Sequence, residues 1–166
     1  MPVFSYSQGS TPTIGPVPIA GALANPVGVS VVNFSIPAGV RRLTLVSSEL
    51  AIGNNTTVRL GTASGIVTTE YRTASVYVGS YNGSLSSNTT TGLHVPKSLL
   101  QGACCMTFYR TNTNKWSTIG QNQESDEGIV LILTAGNIQL PSELTTFSFI
   151  STSTINSGSL QLFWEF

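Results

Sequence analysis

Short apolar runs broken by turn-forming residues constrain the fold of this chain more than any other feature. After residue 26, runs such as 40–50, 102–110 and 159–166 alternate apolar and polar side chains, with Gly, Pro and Asn between them. Such alternation gives each face of a strand its own set of side chains, whereas a helix repeats every three or four positions. Strands at roughly 8–12-residue spacing are typical of sandwiches and barrels. The sequence predicts an all-β fold: an antiparallel β-sandwich, jelly-roll-like, spanning residues 27–166.

Several individual strands follow from the same pattern. The β-branched run 27–36 predicts a first strand, and residues 66–71 predict another. Residues 129–133 are apolar at every position, which predicts a strand covered on both faces. Gly136 and Asn137 follow as an expected break, because both residues favour turns.

Residues 1–26 have a different composition and predict an extended N-terminal arm. Proline and glycine recur here, and the first charged side chain of the chain is Arg41. Prolines at this density disfavour a helix and favour an extended chain. The segment carries apolar side chains that are better placed against protein than in water, namely Val3, Phe4, Tyr6, Ile14, Val17 and Ile19. These residues predict an arm that docks on a neighbouring subunit or a larger particle. The alternative is a disordered leader.

The charge content narrows the class of partner. Lys plus Arg and Asp plus Glu number 7 each, so the net charge is zero and only 8% of residues are charged. A nucleic-acid protein needs a basic surface, so no nucleic-acid partner is expected. No apolar run approaches the ~20 residues that a membrane-spanning segment needs, so we expect no membrane span. A low net charge leaves little repulsion between copies, which favours a component of an assembly.

Catalytic and metal-binding patterns are sparse. His94 is the single histidine and Asp126 the single aspartate, and the sequence contains no nucleophile elbow and no phosphate-binding glycine motif. Cys104 and Cys105 are adjacent, which predicts two reduced thiols with one packed inward. The acidic segment 124–127 could offer oxygen ligands to calcium, although its spacing fits a solvated loop better. We expect no enzyme activity, no cofactor and no metal.

Aromatic side chains beside a polar loop suggest a different kind of site. Tyr77 and Tyr81 precede the polar loop 82–91, which contains Asn82 and Asn88. Aromatic rings can stack on sugar rings while amides bind hydroxyl groups. These four residues are therefore candidate glycan contacts. The alternative is that most aromatic side chains fill the core or a subunit interface.

Three segments carry a resemblance to a known family. Residues 35–46 read Ser-Ile-Pro-Ala-Gly-Val-Arg-Arg-Leu-Thr-Leu-Val, residues 53–61 read Gly-Asn-Asn-Thr-Thr-Val-Arg-Leu-Gly, and residues 64–71 read Ser-Gly-Ile-Val-Thr-Thr-Glu-Tyr. Together they resemble a bacteriophage tail-fibre C-terminal β-domain. The strands near Met106 and Trp116 and the close at residues 158–165 are also similar to it. Where that family commonly has Phe-Asp-Ala-Gly, residues 155–158 read Ile-Asn-Ser-Gly.

The resemblance implies a place and a role. It implies a bacteriophage virion structural protein on the exposed surface of the particle, most simply a homotrimeric tail-fibre component that binds a host receptor such as a surface glycan. The N-terminal arm would then bind other virion proteins. An alternative that the same residues allow is a capsid decoration protein that stabilises the phage head.

Overall fold

Strands account for all the regular structure in this computed structural model, which describes residues 19–52, 56–78, 85–86, 90–95, 102–124 and 130–166. Within these ranges there is no helix, and therefore none that could cross a membrane. The strands are β1 (Ile19–Ala24), β2 (Val31–Ser35), β3 (Arg42–Ile52), β4 (Thr56–Thr62), β5 (Gly65–Ile66), β6 (Arg72–Val78), β7 (Leu85–Ser86), β8 (Leu93–Val95), β9 (Gly102–Asn112), β10 (Lys115–Glu124), β11 (Val130–Gln139), β12 (Thr146–Ser151) and β13 (Ile155–Glu165). The all-β prediction is confirmed.

The strands form two antiparallel sheets that share a core. The larger sheet has the order β1-β13-β3-β9-β10-β11-β6-β7, and the smaller has the order β2-β12-β4-β5, with β8 also paired to β4. Phe108 of the larger sheet meets Phe147 of the smaller one edge to face, with ring centroids 5.2 Å apart. This contact joins the inner faces of the two sheets, as in a β-sandwich.

Alternation along the strands creates the core. In β3, Leu43 and Leu45 are fully buried while Thr44 between them is partly exposed. Leu160 and Leu162 of β13 behave in the same way. Burying a leucine side chain stabilises a fold by about 1.5–3 kcal/mol. The inner faces of the two sheets therefore supply the stability, and the outward face of the larger sheet is left for other uses.

Strand β11 departs from the sequence expectation in two ways. It runs through Gly136 and Asn137 to Gln139, so the expected break is wrong. A Cβ at Gly136 would lie 2.6 Å from Leu93 and 2.7 Å from the carbonyl oxygen of Arg72, so glycine here permits close packing of the sheet. Ile132 is fully buried but Leu133 is 44% exposed, so the strand is covered on one face only in the isolated chain. An antiparallel sheet with one solvated face explains this difference.

The strand expected at residues 66–71 is also shorter than predicted. Only Gly65–Ile66 is a strand, and Glu70 adopts a left-handed conformation with φ of 65°. This conformation is uncommon for a residue other than glycine and is incompatible with an extended strand. The chain turns here and buries Tyr71 before β6 begins.

The N-terminal end of the described chain belongs to the larger sheet. Strand β1 pairs with β13, and Ile19 lies opposite Trp164. A Cβ at Gly21 would overlap the ring of Trp164, so β1 can approach β13 closely only because this residue is glycine. The first expected strand begins later than predicted, at Val31, because Gly28 turns the chain with φ of 85°. The other predicted docking residues, Val3, Phe4, Tyr6, Ile14 and Val17, lie outside the described residues.

Candidate functional site

Two neighbouring rows of side chains on the larger sheet form a surface that we name the apolar face. One row runs across the strands through Val76, Leu133, Gln121, Cys105 and Val46, and the next through Ala74, Ala135, Ile119, Thr107 and Thr44. All of these positions point away from the core. Ile119 is 65% exposed and Val76 is 36% exposed. Cross-strand neighbours on one face lie about 4.5–5.5 Å apart, so these side chains form one continuous surface.

The apolar face is shallow and uncharged. A depression of about 560 Å³ lies over β6, β9, β10 and β11, and none of the residues that line it is charged. Charged side chains on the outward face occur one row further on, where Arg42 pairs with Glu165 at 3.1 Å and lies over the ring of Tyr109. Single exposed apolar residues are ordinary, whereas a contiguous group of them is a candidate surface for contact with another molecule.

The two cysteines lie on opposite sides of the same strand. Both are free, Cys104 is buried, and Cys105 is exposed within the apolar face. Burial raises the pKa of the Cys104 thiol to about 12, so this thiol stays protonated and unreactive near neutral pH. The prediction of two reduced thiols with one packed inward is confirmed.

A second depression, which we name the polar groove, adjoins the apolar face where β6 and β10 begin and β11 ends. It has a volume of about 600 Å³, within the usual range for ligand pockets. It is lined by Glu70, Tyr71, Arg72, Thr90, Lys115, Asn137 and Gln139. Arg72 lies directly opposite Asn137, and Lys115 lies directly opposite Gln139. The two cations thus flank the two amides of β11.

Tyr71 fixes one wall of the polar groove. Its hydroxyl group accepts a hydrogen bond from the Leu60 amide at 2.8 Å and lies 3.0 Å from the Val67 carbonyl oxygen, to which it donates. Burial raises the pKa of Tyr71 to about 12, so the phenol remains neutral. The Tyr71 amide also donates to the Thr90 carbonyl oxygen at 3.2 Å. These bonds hold Glu70, Arg72 and Thr90 in place around the groove.

The charged side chains of the polar groove have no partner among the residues that the structure describes. Among the described residues, Glu70, Arg72 and Lys115 make no ion pair and no side-chain hydrogen bond. Gln139 is held differently, because its amide nitrogen donates to the carbonyl oxygens of Thr113 and Leu140. These exposed charged groups line the same groove and are therefore available to a ligand.

The structure places the predicted glycan residues only in part. Tyr77 lies in β6, and its backbone pairs with Ile132 of β11. Tyr81, Asn82 and Asn88 lie outside the described residues. The polar loop that contains them meets the polar groove at Thr90. A short strand, β7, lies within this loop and pairs with β6.

Other chemistry-bearing residues are not brought together within the described ranges. His94 lies in β8 opposite Thr57, and Asp126 falls outside those ranges. No group of three His, Cys, Asp or Glu residues suited to a metal ion occurs among the residues that the structure describes.

No protein-family model matches the chain, and no curated protein matches it significantly. The resemblance to a tail-fibre β-domain therefore stays a prediction.

Proposed function

We propose that this chain is a non-enzymatic structural protein of a bacteriophage virion that assembles with copies of itself through the apolar face. The observation that carries the assembly is the contiguous exposed surface around Ile119, Leu133 and Val76. Its place in a phage particle rests on the resemblance of residues 35–71 to a tail-fibre β-domain. The same resemblance suggests three copies and a role in binding the host receptor.

A further copy of this chain is the occupant that best suits the apolar face. The chain has zero net charge, and the two rows of the face bear no charged side chain. Copies can therefore pack there without opposing like charges, which a strongly charged partner would not match. Stable association buries about 800 Å² per partner, so an interface centred on the apolar face would have to extend across β6, β9, β10 and β11.

The strand order supports a jelly roll as the underlying fold. An eight-stranded jelly roll consists of two Greek keys in two sheets. The smaller sheet contains the order β2-β12-β4-β8. The larger contains β3, then the meander β9-β10-β11, then β6-β7. If the meander is counted as one strand, the chain passes back and forth between the smaller and the larger sheet, as it does in two Greek keys. Strands β13 and β1 extend the larger sheet beyond β3.

The N-terminal arm would anchor the protein to the particle. Strand β1 begins at Ile19, so a truncation that tests the arm must stop before this residue. Removing residues 1–18 should abolish incorporation into virions while the purified domain keeps its melting temperature. Removing residues 1–25 should also lower the melting temperature, because it deletes β1 and uncovers Trp164.

Immunogold electron microscopy of purified virions tests the proposal directly. Gold at the tail tip supports a receptor-binding fibre. Gold spread over the head supports the decoration protein that the same resemblance allows, and it would overturn the fibre assignment. Particles without gold, from cells that express the protein, would overturn the virion role altogether.

A further inference from the structure

From the geometry of the polar groove, we infer that it binds an acidic saccharide, with Arg72 and Lys115 as the carboxylate-binding pair. This inference rests on the proposed function, because it names the chemical class of the receptor. The inference places the saccharide site where β6 and β10 begin and β11 ends, instead of at Tyr77 and Tyr81. The loop that was expected to contact glycans reaches the groove at Thr90.

The spacing of the two cations suits a carboxylated ring. Arg72 and Lys115 lie on β6 and β10, on either side of β11. Two strand spacings across the sheet and a two-residue offset along it together separate their backbones by about 12 Å. This separation leaves room for one acidic group between the two cations, and both long side chains can reach it. Arginine also presents a planar fork of donors that matches a carboxylate.

The remaining groups match the hydroxyl groups of a sugar. Asn137 and Gln139 lie two residues apart on one face of β11. The Gln139 amide is oriented by its bonds to Thr113 and Leu140, and this leaves its oxygen as an acceptor. Glu70 adds a carboxylate with no partner among the described residues, which can accept hydrogen bonds from hydroxyl groups. A groove with both donors and acceptors is typical of sites for hydroxyl-rich ligands.

The charge balance of the groove favours a saccharide over a polyanion. Its two cations and one carboxylate give a net charge of about +1, which one uronic or sialic carboxylate would neutralise. A nucleic acid would bring several phosphates close to Glu70 and find few cations to neutralise them. The preformed backbone around Tyr71 also reduces the entropy that binding must remove.

A glycan array with paired probes tests the inference on the full chain. The probes are oligogalacturonic acid, oligoglucuronic acid and sialyllactose, each beside its carboxyl-reduced counterpart. The protein should bind at least one acidic probe at least about tenfold more tightly than its reduced form. Arg72→Gln and Lys115→Gln should each remove most of this preference. Arg41→Gln is the matched control, because Arg41 is an exposed arginine outside the groove.

Each outcome separates this inference from the proposed function. Three results would overturn the assignment of the polar groove as an acidic-saccharide site. They are equal binding of acidic and reduced probes, binding of neither, and full binding by Arg72→Gln and Lys115→Gln. Phage carrying both substitutions provide the second readout, since they should assemble normally and adsorb poorly to host cells. Normal adsorption by phage that carry the variant protein would contradict saccharide binding by the groove. It would not contradict the proposed role in the virion.

Discussion

The apolar face and the polar groove share the strands β6, β10 and β11, yet they differ in almost every chemical property. Along β11 the outward side chains change from Leu133 and Ala135 to Asn137 and Gln139. Residues two apart on a strand are separated by about 6.6 Å, so the change from apolar to polar is abrupt. One sheet can therefore carry an assembly surface and a hydrated ligand site side by side. The assembly surface uses one pair of outward residues on a strand, and the ligand site uses the next pair.

Acidic substitution in the apolar face should produce the largest effect. It should disrupt the apolar face and leave the polar groove intact. Ile119→Asp combined with Leu133→Asp should weaken association by at least about thirtyfold, because it places charges in a buried contact. Analytical ultracentrifugation measures this. The matched control is Ala63→Asp in the exposed turn before β5, which should associate normally. Saccharide binding by the dissociated chain should persist, and its loss would show that the two regions are not independent.

Gly136→Ala should disturb both regions, since this residue lies between Ala135 and Asn137. The added methyl group would meet the Arg72 carbonyl oxygen and Leu93, so β11 must move away from β6. We expect a loss of up to about 3 kcal/mol in the free energy of unfolding, measured by urea denaturation. Gly61→Ala is the control, because its new methyl group meets chiefly the terminal methyl group of the exposed side chain of Ile66. An equal loss in both variants would argue against a special role for Gly136.

Tyr71→Phe should weaken the polar groove and spare the apolar face. It removes the hydroxyl group that contacts Leu60 and Val67, and leaves the buried Leu60 amide without this acceptor. The expected loss in unfolding free energy is about 1–2 kcal/mol, with weaker saccharide binding and unchanged association. Tyr109→Phe alters an exposed tyrosine and should change stability by less than about 0.5 kcal/mol. Unchanged saccharide binding by Tyr71→Phe would mean that this anchor does not shape the groove.

Alkaline titration should give the smallest effect. Folding raises the pKa of Cys104, behind the apolar face, and that of Tyr71, beside the groove, each to about 12. Both groups are neutral when protonated, so the stability they support is complete below their ordinary values of 9.0 and 10.0 and is lost as the pH rises towards 12. Thermal melts should stay flat up to about pH 9 and then fall. Cys104→Ala should remove the earlier part of this fall, and an unchanged curve would contradict the assignment.

The sequence predicted the fold class and the alternation of the strands, because apolar periodicity is a local signal. It could not predict that β11 continues through Gly136, since that depends on Leu93 and Arg72 packing against the glycine. The groove was missed for a similar reason. Arg72, Lys115 and Gln139 are far apart in the chain, and only the strand register brings them together. Two polar residues two positions apart after an apolar run, Asn137 and Gln139, were the available signal.

The central claim is that copies of this chain cover the apolar face, and Cys105 reports on it without any mutation. Maleimide labelling of the full chain should be measured across protein concentrations at which ultracentrifugation shows association. The account predicts that Cys105 becomes protected as oligomers form, that it reacts freely in the Ile119→Asp, Leu133→Asp variant, and that buried Cys104 reacts in neither. Full reactivity of Cys105 in the assembled state, or a chain that stays monomeric, would contradict it.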